Sequence, residues 1–175
     1  MRIPSICFAL LLANCGDPGS LENFHEVRAG LFRGGHPDTS GFTTLESLGV
    51  KTIVDLESDN GIEADGDDIT QELDDAANGG ITVVRFPMSA FDSPDDEFDR
   101  MIDQIMVILA DPSLGPIYVH CAHGQDRTGL VIALERVIDE GWSPQDAHDE
   151  MLQLGFHTIF VGLDHYYEHK TGWED

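Results

Sequence analysis

Three short runs rich in β-branched residues, KTIVDL (51–56), ITVVRF (81–86) and PIYVH (116–120), are each followed by a stretch with helical apolar spacing. Runs this short that are apolar on both faces belong in a parallel sheet covered on each side, and strands alternating with helices return to such a sheet by crossover connections. The segment 27–35, VRAGLFRGG, reads as an opening strand or hairpin closed by glycines, and 38–49, DTSGFTTLESLG, as a short helix ended by Gly49. The acidic segment after residue 56 reads as a loop and then a helix to about residue 77. In 92–112, Ser93 can cap a helix that has Pro94 at its first position and Asp95, Asp96 and Glu97 opposing its dipole. Helices are also expected over 127–141, ended by Gly141, and over 143–155, which repeats the Ser-Pro start. The fold class is therefore α/β, with a central, mainly parallel sheet of about four to five strands flanked by helices. In such a sheet chemistry sits where strands end and helices begin.

A chain of 175 residues can bury one sizeable core, so one folded domain is expected over 21–175. Its 33 acids against 9 bases leave a formal charge of −24. That excludes nucleic acid and an anionic membrane surface as partners and suits a solvated surface. The densest acidic cluster, 59–75, does not place acids at calcium-loop spacing before its glycines. Residues 1–20 have the order of an export signal followed by a linker: one Arg, an apolar stretch through Ala13, then Cys15 and a Gly/Asp/Pro/Ser-rich segment. LLANC also resembles a bacterial lipoprotein cleavage box, which would place a lipid on Cys15 and make that lipid the one route to a membrane. The expected location is exported, periplasmic or anchored to the envelope; an apolar N-terminal segment packed on a cytoplasmic domain is the alternative. Cys7, Cys15 and Cys121 cannot build a disulfide framework or a thiolate-rich zinc site, and the eight histidines show no HExxH spacing. No metal is therefore expected.

The stretch VHCAHGQDRTGL (119–130) holds a thiol and a guanidinium in one short loop. The strand 116–120 delivers Cys121 and a helix starts at about Arg127. A loop this short that runs into a helix N-terminus turns successive backbone N–H groups inward and forms a cradle for an oxyanion. Ala122, His123, Gly124, Gln125, Asp126 and Arg127 would line it. The same inward field favours the thiolate of a cysteine at its base, and an arginine fork grips two phosphate oxygens where lysine cannot. Together they suit phosphoryl transfer to sulfur: Cys121 attacks phosphorus in line while amides and Arg127 hold the equatorial oxygens. Thr128 can donate its hydroxyl to the thiolate or to the departing thiol. Gly124 and Gly129 serve a tight turn and close helix packing.

HCAHGQDRTG (120–129) is similar to the HCxxGxxR[ST]G signature of the cysteine-dependent protein tyrosine phosphatase superfamily. LFRGGHPDTSGFTTLESLGVKTIVDLES, FPMSAFDSP and LERVIDEGWSPQDAHDEMLQLGFH resemble the small bacterial dual-specificity-type phosphatases, related to the plant and fungal atypical group. The likeness spans roughly residues 24–157. It implies a three-layer α/β phosphatase domain, a phosphocysteine intermediate, no cofactor, and a phosphorylated protein or small phosphate ester as partner.

The resemblance also implies a general acid, usually an Asp about thirty residues before the cysteine. Asp92, in FDSP, stands there. Its alternative role is to cap the following helix, leaving Asp95 or Asp96 for the chemistry. Asp126 competes, because GxDRTG resembles bacterial phosphatases in which the loop Asp has that role; otherwise it turns away and orients its neighbours, since a carboxylate aimed at a phosphate dianion is repelled. His120 either tunes the thiolate or is a satisfied core histidine. Arg33, in LFRGG, sits where relatives place an Arg near the mouth, as a second phosphate contact or a surface ion pair. The substrate expected first is a Tyr or Ser/Thr phosphoprotein. Inositol polyphosphates, which the atypical relatives cleave, would call for more basic residues than AHGQD, Arg33 and Arg85 supply. A non-catalytic phosphate-binding module and an envelope lipoprotein with a vestigial site are the alternatives from other classes.

Overall fold

The computed structural model describes residues 21–58, 69–91 and 94–173. Residues 1–20, with the expected export signal and Cys15, the first ten residues of the acidic cluster (59–68), and Asp92 with Ser93 lie outside these residues. Two short strands, β1 (His25–Arg28) and β2 (Leu31–Gly34), form an antiparallel hairpin. They are followed by α1 (Thr39–Ser47), β3 (Thr52–Asp55), α2 (Ile69–Gly79), β4 (Thr82–Arg85), α3 (Asp96–Ala110), β5 (Ile117–His120), α4 (Asp126–Ile138), α5 (Pro144–Gln153) and α6 (Val161–Thr171). The strands order as β1-β2-β5-β3-β4, with every pair after the hairpin parallel. The expected α/β class and mainly parallel sheet are what the chain adopts.

Period-two alternation splits the core across the sheet. Phe32, Ile53 and Tyr118 face α1 and α2, where they meet Phe42, Leu45 and Ala76. Leu31, Val54, Ile117 and Val119 face the other side, where α3, α4, α5 and α6 contribute Ile102, Ile105, Leu130, Leu134, Met151, Leu163 and Tyr167. Helix α4 is buried continuously from Arg127 to Arg136, so it forms the centre of that layer. Its Gly129 lies so close to α5 that an added Cβ would stand 3.1 Å from Met151 Cγ.

Two boundaries and one whole element differ from expectation. Helix α3 begins at Asp96 rather than at Pro94, because Asp95 is the residue whose carboxylate accepts from the Glu97 and Phe98 amides. A carboxylate is as good a cap as a serine hydroxyl, and a choice between caps two residues apart is not visible in spacing. Helix α4 ends at Ile138, three residues before Gly141. Helix α6 was not expected at all: only Leu163 and Tyr167 of it are buried, so its apolar pattern is weak and its existence depends on the groove it fills beside α4.

Candidate active site

The parallel strands place the carboxyl ends of β2, β5 and β3 side by side, and the loop 121–125 runs from the central one into α4. Cys121 sits at its base, 3% exposed. Three contacts hold the loop from outside. The amide of His36 donates to the carbonyl of Ala122 at 3.0 Å. The Gly124 carbonyl accepts from Arg33 Nη2 at 2.5 Å and from Asn23 Nδ2 at 2.8 Å. In a trans peptide the N–H points opposite to the carbonyl, so pulling the 122 and 124 carbonyls outward aims the His123 and Gln125 amides toward the concave side. The cradle therefore owes its orientation to residues distant in sequence.

Gly124 has φ +66°, and a Cβ there would lie 2.3 Å from the Gly34 carbonyl carbon. No side chain fits. Gly124→Ala is expected to cost at least about 2–3 kcal/mol of stability, through the left-handed backbone and the forced displacement of β2. A urea-unfolding midpoint equal to that of the parent would contradict this.

Arg127, the second residue of α4, is 7% exposed. Its Nη1 stands 3.5 Å from the Leu56 carbonyl and 3.4 Å from that of Met88, so the segments after β3 and β4 steer the guanidinium. Thr128 is fully buried, and its hydroxyl has no hydrogen-bond partner among the described residues. Ala122 is buried, while His123 is on the rim, its Nδ1 3.1 Å from Glu22 Oε2. Asp126 is engaged elsewhere: its Oδ1 accepts from the His157 amide at 2.7 Å and lies 3.1 Å from the ring Nδ1. Arg33 is 1% exposed and lies beneath the loop rather than at its mouth. Burial lowers its pKa to about 10, against the pull of Cys121, so it remains a cation near neutral pH.

Behind Cys121 lies a buried ionic cluster. His120 Nε2 is 3.2 Å from Glu72 Oε1, and His36 Nδ1 is 2.9 Å from Glu57 Oε1. Burial acts to lower the pKa of His120, but the carboxylates of Glu57 and Glu72 outweigh it and raise it to about 10. Burial disfavours the charged form of Glu57 too, yet His120 and His36 hold its carboxyl well below the usual range. Asp55, buried beside them, is ion-paired with Arg85. His120 is thus a buried cation one residue from the thiol. Sequence reading did not find Asn23, His36, Glu57 or Glu72. The signal available for Asn23 is its positive φ of 51°, which only the fold reveals.

A family model described as "DSP-PTPase phosphatase fused to NAD+ Kinase" matches residues 17–159. The chain belongs to this DSP-PTPase family. It is 31% identical over 137 residues to the dual specificity protein phosphatase TpbA of Pseudomonas aeruginosa strain UCBPP-PA14, covering 77% of this chain and 55% of that protein. It is 30% identical over 129 residues to the inositol diphosphatase DSP4 of Arabidopsis thaliana, covering 73% of this chain and 61% of that one. The chain thus spans a little over half the length of these curated relatives. Its fold matches the core catalytic domain of the PP-IP phosphatase SIW14 from S. cerevisiae with a TM-score of 0.71 at 23% identity, over 85% of each chain. In this DSP-PTPase domain the loop 121–125 occupies the strand-to-helix junction at the centre of the sheet.

Proposed function

We propose that the protein hydrolyses phosphate monoesters through a phosphocysteine on Cys121. The observation that carries this is the loop whose carbonyls at 122 and 124 are bonded outward, with a thiol at its base and Arg127 at its far end. The Cys121 sulfur bonds to phosphorus as the ester P–O bond breaks, and the leaving oxygen takes a proton from an acid. Water then attacks the phosphocysteine, that residue removes the water proton, and inorganic phosphate and the thiolate return. We assign the acid to Asp92. What supports this is its place 29 residues before Cys121, together with the engagement of two of its three competitors: Asp126 with His157, and Asp95 with the start of α3, whose first residue is the third, Asp96.

The substrate we favour is a phosphotyrosine-type ester. Contacts run from Asp126 through His157 to Phe160 and Phe91, whose rings meet edge to face at 4.9 Å. Phe91 is 67% exposed and directly precedes the proposed acid in the chain. The basic residues a polyphosphate would call for turn inward: Arg33 is buried beneath the loop, and Arg85 is held by Asp55. The 30% identity to an inositol diphosphatase favours the second reading, an inositol polyphosphate substrate.

Two comparisons test these assignments on the purified chain. A phosphotyrosine peptide is expected to show the higher kcat/KM against an inositol pyrophosphate; the reverse order would overturn the phosphoprotein reading. On an alkyl phosphate, whose leaving group needs protonation, Asp92→Asn is expected to lower kcat by about 10²–10⁴-fold and Asp126→Asn by less than about tenfold. The opposite ranking would transfer the acid to Asp126. Absence of turnover by the parent under reducing conditions would leave a phosphate-binding module.

A further inference from the structure

The ends of three neighbouring strands converge on a set of donors that phosphoryl transfer to Cys121 does not require. His120 ends β5 and pairs in register with Gly34 of β2 and Asp55 of β3. Two residues beyond each of those partners stand His36 and Glu57. Their donor atoms, together with a ring nitrogen of His120, lie within 4.8 Å of one another. Glu57 Oε1 is 2.9 Å from His36 Nδ1 and 3.5 Å from His120 Nδ1. Bonds of about 2.05 Å in tetrahedral array place donor atoms about 3.3 Å apart, and the two observed edges bracket that value. His120 is fully buried, and among the described residues its Nδ1 makes no hydrogen bond, facing the cluster with only the charge contact to Glu57. Its other nitrogen contacts Glu72, which fixes the ring as a carboxylate does behind a metal-bound histidine. The His36 side chain keeps 15% exposure and supplies a way in from solvent.

We propose that His36, Glu57 and His120 form a binding site for a divalent transition-metal cation of the zinc class. Two imidazoles and one carboxylate suit that class rather than calcium or magnesium, which take oxygen donors. Three protein ligands leave a fourth position for water. A cation of charge two with Glu57 and Glu72 leaves these groups with no net charge, and binding displaces the ring protons at His36 and His120. The site is independent of the phosphatase reading.

The test uses Co²⁺ and Zn²⁺ alone on the full chain carrying Cys121→Ser, which removes the neighbouring thiol as a ligand, with excess Mg²⁺ to occupy exposed carboxylates. Expected are binding of a single equivalent, the visible absorption of tetrahedral Co²⁺, and affinity weakened at least about tenfold by His36→Gln and by Glu57→Gln. Zinc should also shift the ring ¹⁵N resonances of His36 and His120 in the Cys121→Ser chain, a readout that does not depend on the folding of the His36 and Glu57 variants. Loss of tight binding on replacing Cys121, affinity unchanged in both His36→Gln and Glu57→Gln, or shifts confined to other histidines would each overturn the site.

Discussion

Replacing Cys121 with serine is expected to lower kcat on an aryl phosphate by at least about 10⁴-fold, the scale of loss when a covalent nucleophile is removed. An aryl leaving group departs with little help, so the loss reports on attack rather than on protonation. The serine hydroxyl is not ionised at neutral pH, and the buried cations His120 and Arg33 do not change that. The substitution is close to isosteric at a site 3% exposed, so the fold should survive with about 1 kcal/mol of change. Phosphate affinity should survive as well, because the cradle is held by Arg33, Asn23 and His36 rather than by the thiol. Rapid-quench assays and phosphate titrations on the same variant check both halves. A variant that turns over as the parent does would exclude the phosphocysteine, and one that loses phosphate binding while folded would move the cradle's support to the sulfur.

On the same aryl ester Arg127→Lys carries the second-largest effect, a fall in kcat/KM of about 10²–10³-fold, the range found when one donor to a developing charge is removed. Lysine keeps the positive charge but loses the planar fork that grips two equatorial oxygens. It also cannot reproduce the position that Leu56 and Met88 impose on Nη1, because its ammonium is a single point at the end of a flexible stem. The thermal midpoint should move by only a few degrees, so the kinetic change is not a folding change. Activity within a few-fold of the parent would mean that charge alone suffices and that the backbone amides carry most of the stabilisation.

Much of this molecule is legible in its sequence. The short apolar runs at 51–56, 81–86 and 116–120 became β3, β4 and β5: β3 and β5 are buried along their whole length, as parallel strands covered on both faces are, and β4 is the partly exposed edge. The stretch 120–129 pointed to a thiol and a guanidinium facing one oxyanion, since strand, loop and helix start are contiguous in the chain and their geometry is local. The Ser143-Pro144 start of α5 likewise follows from neighbouring residues alone: Ser143 accepts from the Asp146 amide.

What the sequence left open depends on contacts across the chain. Asp92, Asp126 and, behind Asp92, Asp95 or Asp96 were the candidate acids, and only the fold gives Asp126 and Asp95 their partners, His157 and the first amides of α3. Arg33 was read as lying at the mouth, yet β2 carries it under the loop, where it holds the Gly124 carbonyl. His36, Glu57, Glu72 and His120 share no spacing, because strand order rather than sequence brings β2, β5 and β3 together. Sequence by itself determined the α/β alternation and the chemistry of one contiguous loop. Tertiary structure decided which side chains orient that loop and which charges lie buried behind it. Periodicity and capping act over a few residues, whereas burial, charge pairing and ligand geometry are properties of groups that meet only after the sheet has formed.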